Sequence, residues 1–150
     1  MIEIFTDGAS RGNPGPGGYG VILRSDSHYK ELSKGYSRTT NNRMELMGVI
    51  TGLEAIKKLN QEITIFSDSK YVIDPIEKGW LDRWTKISFK NKKNSDLWQR
   101  LSPLLDRHQI KFIWIRGHNG HPENERCDEL AVIAAKGQNL EPDTGYLING

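Results

Sequence analysis

The sequence predicts an α/β domain built on a five-stranded mixed sheet flanked by helices. Three observations predict it: an opening run of three strand-like segments joined by turns, two later apolar runs of strand length, and amphipathic stretches of helical period between and after them. At 150 residues the chain fits one domain, residues 1–150, long enough to bury roughly two thirds of its unfolded surface.

The first strand is "IEIFTDG", which alternates apolar and polar residues and ends at Asp7. "ASRGNPGPGG" then reads as a Gly/Pro loop, and "YGVILRS" and "YKELSKGYS" as two further strands of a meander. A long amphipathic helix follows within "TTNNRMELMGVITGLEAI", with capping groups from Thr40 to Asn42. "EITIFSD" is a short apolar run ending in Asp68, the pattern of a strand buried on both faces, and it is expected at the centre of the sheet. "SKYVIDPIEKG" is helical but interrupted by Pro75 and Gly79, which predicts short helices. "SDLWQRLSPLLDRH" predicts a helix capped by Ser95, "IKFIWIRG" a strand, and "PENERCDELAVIAAK" a last helix with Pro122 at its first position. The Gly-, Asn-, Pro- and Asp-rich tail, residues 137–150, is expected to be loosely held.

Composition narrows the function classes. A charged fraction of 27% with net charge +2 is compatible with a polyanionic partner without demanding one. No apolar stretch reaches the length of about eighteen residues that a membrane span needs, and no signal peptide is visible, so a cytoplasmic protein with no membrane contact is expected. The single Cys127 excludes an internal disulfide and suits a reducing compartment.

The long helix poses the sharpest question. At about 100° per residue, Glu45 shares a stripe with Val49, Gly52 and Ile56, while Arg43, Glu54, Lys57 and Lys58 fall on the opposite side. Burying an unpaired charge costs several kcal/mol, roughly, so something must compensate Glu45. Asp7 and Asp68 stand at or near strand ends, where side chains leave the core yet stay rigidly supported. Asp128 neighbours Ala131 and Ala135 at the margin of an apolar helix face. Gly48 and Gly52 allow close approach of the first helix to the sheet. If the four carboxylates meet, protonation or a cation must offset their repulsion, and an all-oxygen site favours Mg²⁺ or Mn²⁺. Taken singly, an Asp is better explained as a solvated, capping or Arg-paired group; Glu45, on its apolar stripe, resists that reading.

Two patterns point elsewhere and fail in context. "GPGGYG" matches the dinucleotide fingerprint GxGxxG but opens a strand rather than a helix. His118, His121 and Cys127 are irregularly spaced and lack a CxxC, so no zinc site is expected, and Cys127 is expected to pack.

The blocks "TDGASRGNPGPGGYG", "GYSRTTNNRMELM", "FSDSKYV" and "GHNGHPENERCDELA" together resemble type 1 ribonuclease H, in its bacterial stand-alone form, from Ile4 to about Tyr146. The resemblance implies a ribonuclease H-like fold and a monomeric endonuclease that hydrolyses the RNA strand of RNA·DNA hybrids, leaving 3′-hydroxyl and 5′-phosphate ends. It implies two Mg²⁺ ions, with Mn²⁺ as a substitute, held by Asp7, Glu45, Asp68 and Asp128, and a part for His118 in proton transfer or product release. Arg38, Thr40 and Asn41 would form a pocket for a DNA-strand phosphate, at a helix N-terminus that favours anions in any case. Asn13 and Asn42 would reach the minor groove, where an amide can test for 2′-hydroxyls. Trp80 and Trp84 would support a basic handle carrying Lys90, Lys92 and Lys93; Arg83 to Lys93 holds five basic residues and no acid. Two features depart from the family's pattern: a shorter, less basic handle, and Lys70 where related bacterial sequences often have Gln. A DNA-directed nuclease on the same fold, or a silent hybrid-binding module, would share parts of this set.

Overall fold

The computed structural model describes residues 1–116 and 120–149. Strands β1 (Ile2–Ser10), β2 (Gly15–Ser25) and β3 (His28–Thr39) form an antiparallel meander. β4 (Glu62–Ser67) adds parallel to β1, and β5 (Gln109–Trp114) parallel to β4, giving the order β3-β2-β1-β4-β5. The five-stranded mixed sheet is as expected, but its centre is β1. β4, expected there, lies one place away, because β1 is the strand that joins the antiparallel meander to the parallel pair.

The helices are α1 (Asn41–Glu54), α2 (Lys70–Glu77), α3 (Trp80–Lys86), α4 (Ser95–Leu105), α5 (Pro122–Lys136) and α6 (Thr144–Asn149). α1 covers one face of the sheet with α4 outside it, and α5 covers β1 to β3 from the other face. The larger core lies on the α1 side around Ile4, Val21, Leu46, Ile65 and Trp98. On the α5 side Phe5, Ile22 and Cys127 form a smaller cluster, where the Cys127 thiol is fully buried and donates to the Phe5 carbonyl at 3.3 Å. None of the helices among the described residues is long and apolar enough to cross a membrane.

Four local expectations give way to packing. The Gly/Pro segment read as a loop is mostly strand: Ala9 pairs with Gly18 and Ser10 with Gly17. These glycines serve close approach, since a Cβ on Gly18 would stand 2.7 Å from the carbonyl oxygen of Ala131 on α5. At the start of α4, Ser95 is the first helical residue and Asn94 the cap, in a left-handed conformation. The expected short helices α2 and α3 form, but Pro75 does not interrupt them: it lies inside α2, and the break falls at Lys78 and Gly79, the latter at φ 76°.

The fourth concerns Arg43, which the helical pattern puts on the solvent side. It is 1% exposed, because α4 and the tail cover that face of α1. Its guanidinium donates to Asp96 at 2.7 Å and to Asp143 at 2.7 Å. Burial works against the charge, but the two carboxylates outweigh it and hold the Arg43 pKa above its ordinary value. The same contacts correct the expectation of a loosely held tail. Ser37 N–H donates to the Glu141 carbonyl at 2.8 Å, and Asp143 is buried beneath Thr39 and Arg43. A buried guanidinium needs carboxylate partners, and the tail supplies one; beyond it Leu147 and Ile148 remain exposed.

Candidate active site

Asp7 and Asp68 share one level of the sheet. Phe5 on β1 pairs with Phe66 on β4, so each acid stands two residues past a partnered phenylalanine, above rings stacked at 4.6 Å. Glu45 arrives from the opening turns of α1, capped by the Thr40 hydroxyl, which accepts from Arg43 N–H at 3.3 Å. The approach depends on Gly8: a Cβ there would stand 2.6 Å from the Glu45 nitrogen. Gly52 does the same one layer down, where a Cβ would meet an Ile4 methyl carbon at 2.8 Å. Ligand oxygens of Asp7, Glu45 and Asp68 all lie within 4.8 Å of one another. Asp128, half-buried on α5, is outside that tight trio but lines the same depression of about 290 Å³.

Gly8 N–H donates to Glu45 Oε1 at 2.6 Å and to Asp7 Oδ1 at 3.0 Å. One shared donor leaves a large excess of negative charge. Burial first, and then the nearby Asp68, push the Asp7 carboxyl up to about 7. Burial first, and then Asp7 and Asp68, hold Glu45 well above the usual carboxylate range. The second oxygen, Glu45 Oε2, is buried with no hydrogen-bond partner among the described residues. An orphaned carboxylate oxygen beside other carboxylates, with oxygen donors from three elements, fits a hard divalent cation. The question raised by Glu45 on its apolar stripe is thereby answered in structural terms: it faces two aspartates.

The raised pKa values make a prediction with a definite sign. A carboxyl at 3.8 in the unfolded chain and about 7 in the folded one binds its proton more tightly when folded. It therefore leaves stability untouched below about 4 and costs stability as pH rises to 7. A divalent ion removes that cost by replacing the proton. Mg²⁺ is expected to raise Tm more at pH 8 than at pH 5, measured by calorimetry; equal shifts would mean that the ion binds elsewhere.

The residues expected to read a substrate divide into two groups. Asn41 and Asn42 line the acidic depression, and Asn42 also lines an adjoining cavity with Asn13, Thr40 and Lys93. Asn13 Oδ1 accepts from Asn41 N–H at 3.0 Å, fixing the β1–β2 connection against the start of α1. Arg38 is exposed on β3 just before it. The second group lies apart. Trp80 and Trp84 are half-buried on α3, Trp84 packs edge-on against Trp98 at 5.4 Å, and the Lys92 ammonium sits 4.9 Å over the Trp84 ring. Lys90 is exposed nearby, while Lys70 stacks on Trp114 at 4.5 Å. His118 lies outside the described residues.

Sequence reasoning missed Gly8, Asn94 and Tyr146. The signal for Gly8 was in plain view, a glycine directly after the candidate acid Asp7. Asn94 accepts from Arg43 at 3.2 Å and donates to Tyr71 at 2.9 Å, and Tyr146 joins the cavity from the tail; nothing local marks either.

A mixed sheet in this strand order, with one acid on its central strand and another just past the neighbouring strand, defines an α/β fold that carries a carboxylate centre suited to divalent ions. The RNase H family profile matches residues 1–136. Ribonuclease H of Escherichia coli O127:H6 is 55% identical over 153 residues, covering 99% of this chain and 97% of its own. That of Trichodesmium erythraeum is 53% identical over 150 residues, covering 97% and 95%. Among solved structures, LC9-RNase H1, a type 1 RNase H with the type 2 active-site motif, superposes with a TM-score of 0.80 at 30% identity, over 92% of this chain and 73% of that one. The chain belongs to the ribonuclease H family, and it is a nuclease of the hydrolase class.

Proposed function

We propose that the protein is an endonuclease that hydrolyses the RNA strand of RNA·DNA hybrids with two divalent ions, Mg²⁺ or in its place Mn²⁺, held by Asp7, Glu45, Asp68 and Asp128. The observation that carries this reading is the trio of acids within 4.8 Å, one of them with a buried oxygen that no donor satisfies among the described residues. Bound there, the ions would activate a water for in-line attack on phosphorus and neutralise the departing 3′-oxygen. The acids position rather than transfer protons. His118, close in sequence to α5, takes the proton-transfer or product-release part.

Substrate is held by the chain's own polar groups. Thr40, Asn41 and Arg38 bind a DNA-strand phosphate at the N-terminus of α1, where backbone N–H groups and the helix dipole favour an anion. Asn13 and Asn42 test the minor groove, and Asn42 links the two subsites because it lines both. Lys70, Lys90, Lys92 and Lys93 contact further phosphates, with Trp80 and Trp84 as their support. The protein acts as a monomer, a single catalytic domain in the cytoplasm, a reading that its one buried free thiol suits.

Replacing Lys92 and Lys93 together by Ala is expected to weaken hybrid binding and to flatten its salt dependence by about one unit of slope for each phosphate no longer held. An unchanged slope in a titration of affinity against salt would make the segment ordinary surface. The mechanism itself is tested by the product ends. Fragments with 3′-hydroxyls, extendable by a polymerase, and with 5′-phosphates are expected. Cyclic 2′,3′-phosphate ends would overturn the reading, since they would mean that the ribose hydroxyl had attacked instead of water.

A further inference from the structure

The family match ends at residue 136, yet the chain beyond it returns to the site. Glu141 bridges to Tyr36 of β3, its N–H donating to the Gly35 carbonyl at 3.1 Å. Two residues on, Asp143 is 8% exposed and accepts from Thr39 Oγ1 at 2.6 Å, from Arg43 Nε at 2.7 Å and from Tyr146 N–H at 3.3 Å. Those bonds fix where the chain turns, and Tyr146 then stands with Asn13, Thr40, Asn42 and Lys93 around a cavity of about 190 Å³. The same Arg43 donates to Asn94, which follows Lys93, so one buried guanidinium ties both the tail and the basic segment to α1.

We propose that Tyr146 is a substrate-contacting residue, its ring forming one wall of the subsite that holds a DNA-strand phosphate, and that Asp143 is the positioning residue that keeps it there. The proposal rests on the reading of Thr40 and its neighbours as a phosphate subsite. Asn13, Thr40, Asn42 and Lys93 bring hydrogen-bond donors to the cavity, the last of them a cation, which suits an anion. An aromatic wall displaces water from one side, and charge-assisted hydrogen bonds to a phosphate are stronger where water is excluded. Asp143 acts only through Arg43, Thr39 and the Tyr146 backbone, at a distance from the acids.

The test uses the full chain and an RNA·DNA hybrid, with KM and kcat measured in Mg²⁺ and hybrid affinity measured by fluorescence anisotropy in EDTA. Tyr146→Ala is expected to raise KM and Kd about three- to tenfold with kcat within about twofold. Tyr146→Phe, which keeps the ring, should restore KM and Kd, and the near-normal kcat of Tyr146→Ala is what loss of fold would not produce. A Tyr146→Ala protein with unchanged KM and Kd overturns the proposal. Thr40→Ala, measured alongside, separates the two ways of failing. If it alone is defective, the subsite stands without the tail; if it too is silent, the phosphate reading has fallen as well.

Discussion

Asp7→Asn is expected to lower hybrid cleavage by at least about a hundredfold, some 3 kcal/mol of barrier, while leaving the protein folded. Asn keeps the shape and loses the charge that would hold a cation, and the Gly8 N–H that donates to Asp7 Oδ1 finds an amide oxygen in its place. The same change removes a carboxyl that burial and Asp68 push up to about 7. In EDTA at pH 8, the Asp7→Asn variant should therefore melt above the unaltered protein, and at pH 5 the gap should shrink, because there the native carboxyl already carries its proton. Asp68→Asn should lose activity to a similar degree. The measurements are single-turnover cleavage and calorimetric Tm at the two pH values. Unaltered rates in either variant would refute the assignment of these acids to a metal centre.

The largest expected effect on stability lies elsewhere. Arg43→Met should destabilise the fold by about 3–5 kcal/mol, the range for breaking a buried ion pair from one side. Asp143 would be left buried without its guanidinium, and Asp96, whose carboxyl is half-buried and held low by Arg43, would lose both of its bonds to that group. The volume of Met roughly fills the stem, so the loss reads the charge rather than a cavity. Urea unfolding measures it. A loss below about 1 kcal/mol would mean that water reaches both carboxylates, as in an exposed pair.

These two sites also show what the sequence discloses and what it hides. Glu45 was legible because one charge on an apolar stripe contradicts the helical pattern around it, and Asp7 and Asp68 because each follows a strand-like run, although β1 continues past Asp7 to Ser10. Asp128 was only half legible, and the structure keeps it half-buried, lining the depression outside the tight trio. Arg43 was hidden for a physical reason: a helical stripe predicts one buried face, whereas α1 is covered by the sheet on one side and by α4 and the tail on another. The tail itself carries no apolar period, since what holds its middle is Asp143 and a strand-like bridge at Glu141. The central position of β1 was equally out of reach, because an alternating strand and an apolar one can each lie in the middle once helices cover both faces.

If the gathered acids cut RNA within a hybrid, one labelled strand is enough to demonstrate it. A single end-labelled RNA would be offered alone, paired with RNA and paired with DNA, each with Mg²⁺ and with EDTA. Cleavage of the hybrid alone, and only with Mg²⁺, is the predicted result. Survival of all three substrates, or cutting that persists in EDTA, would contradict it.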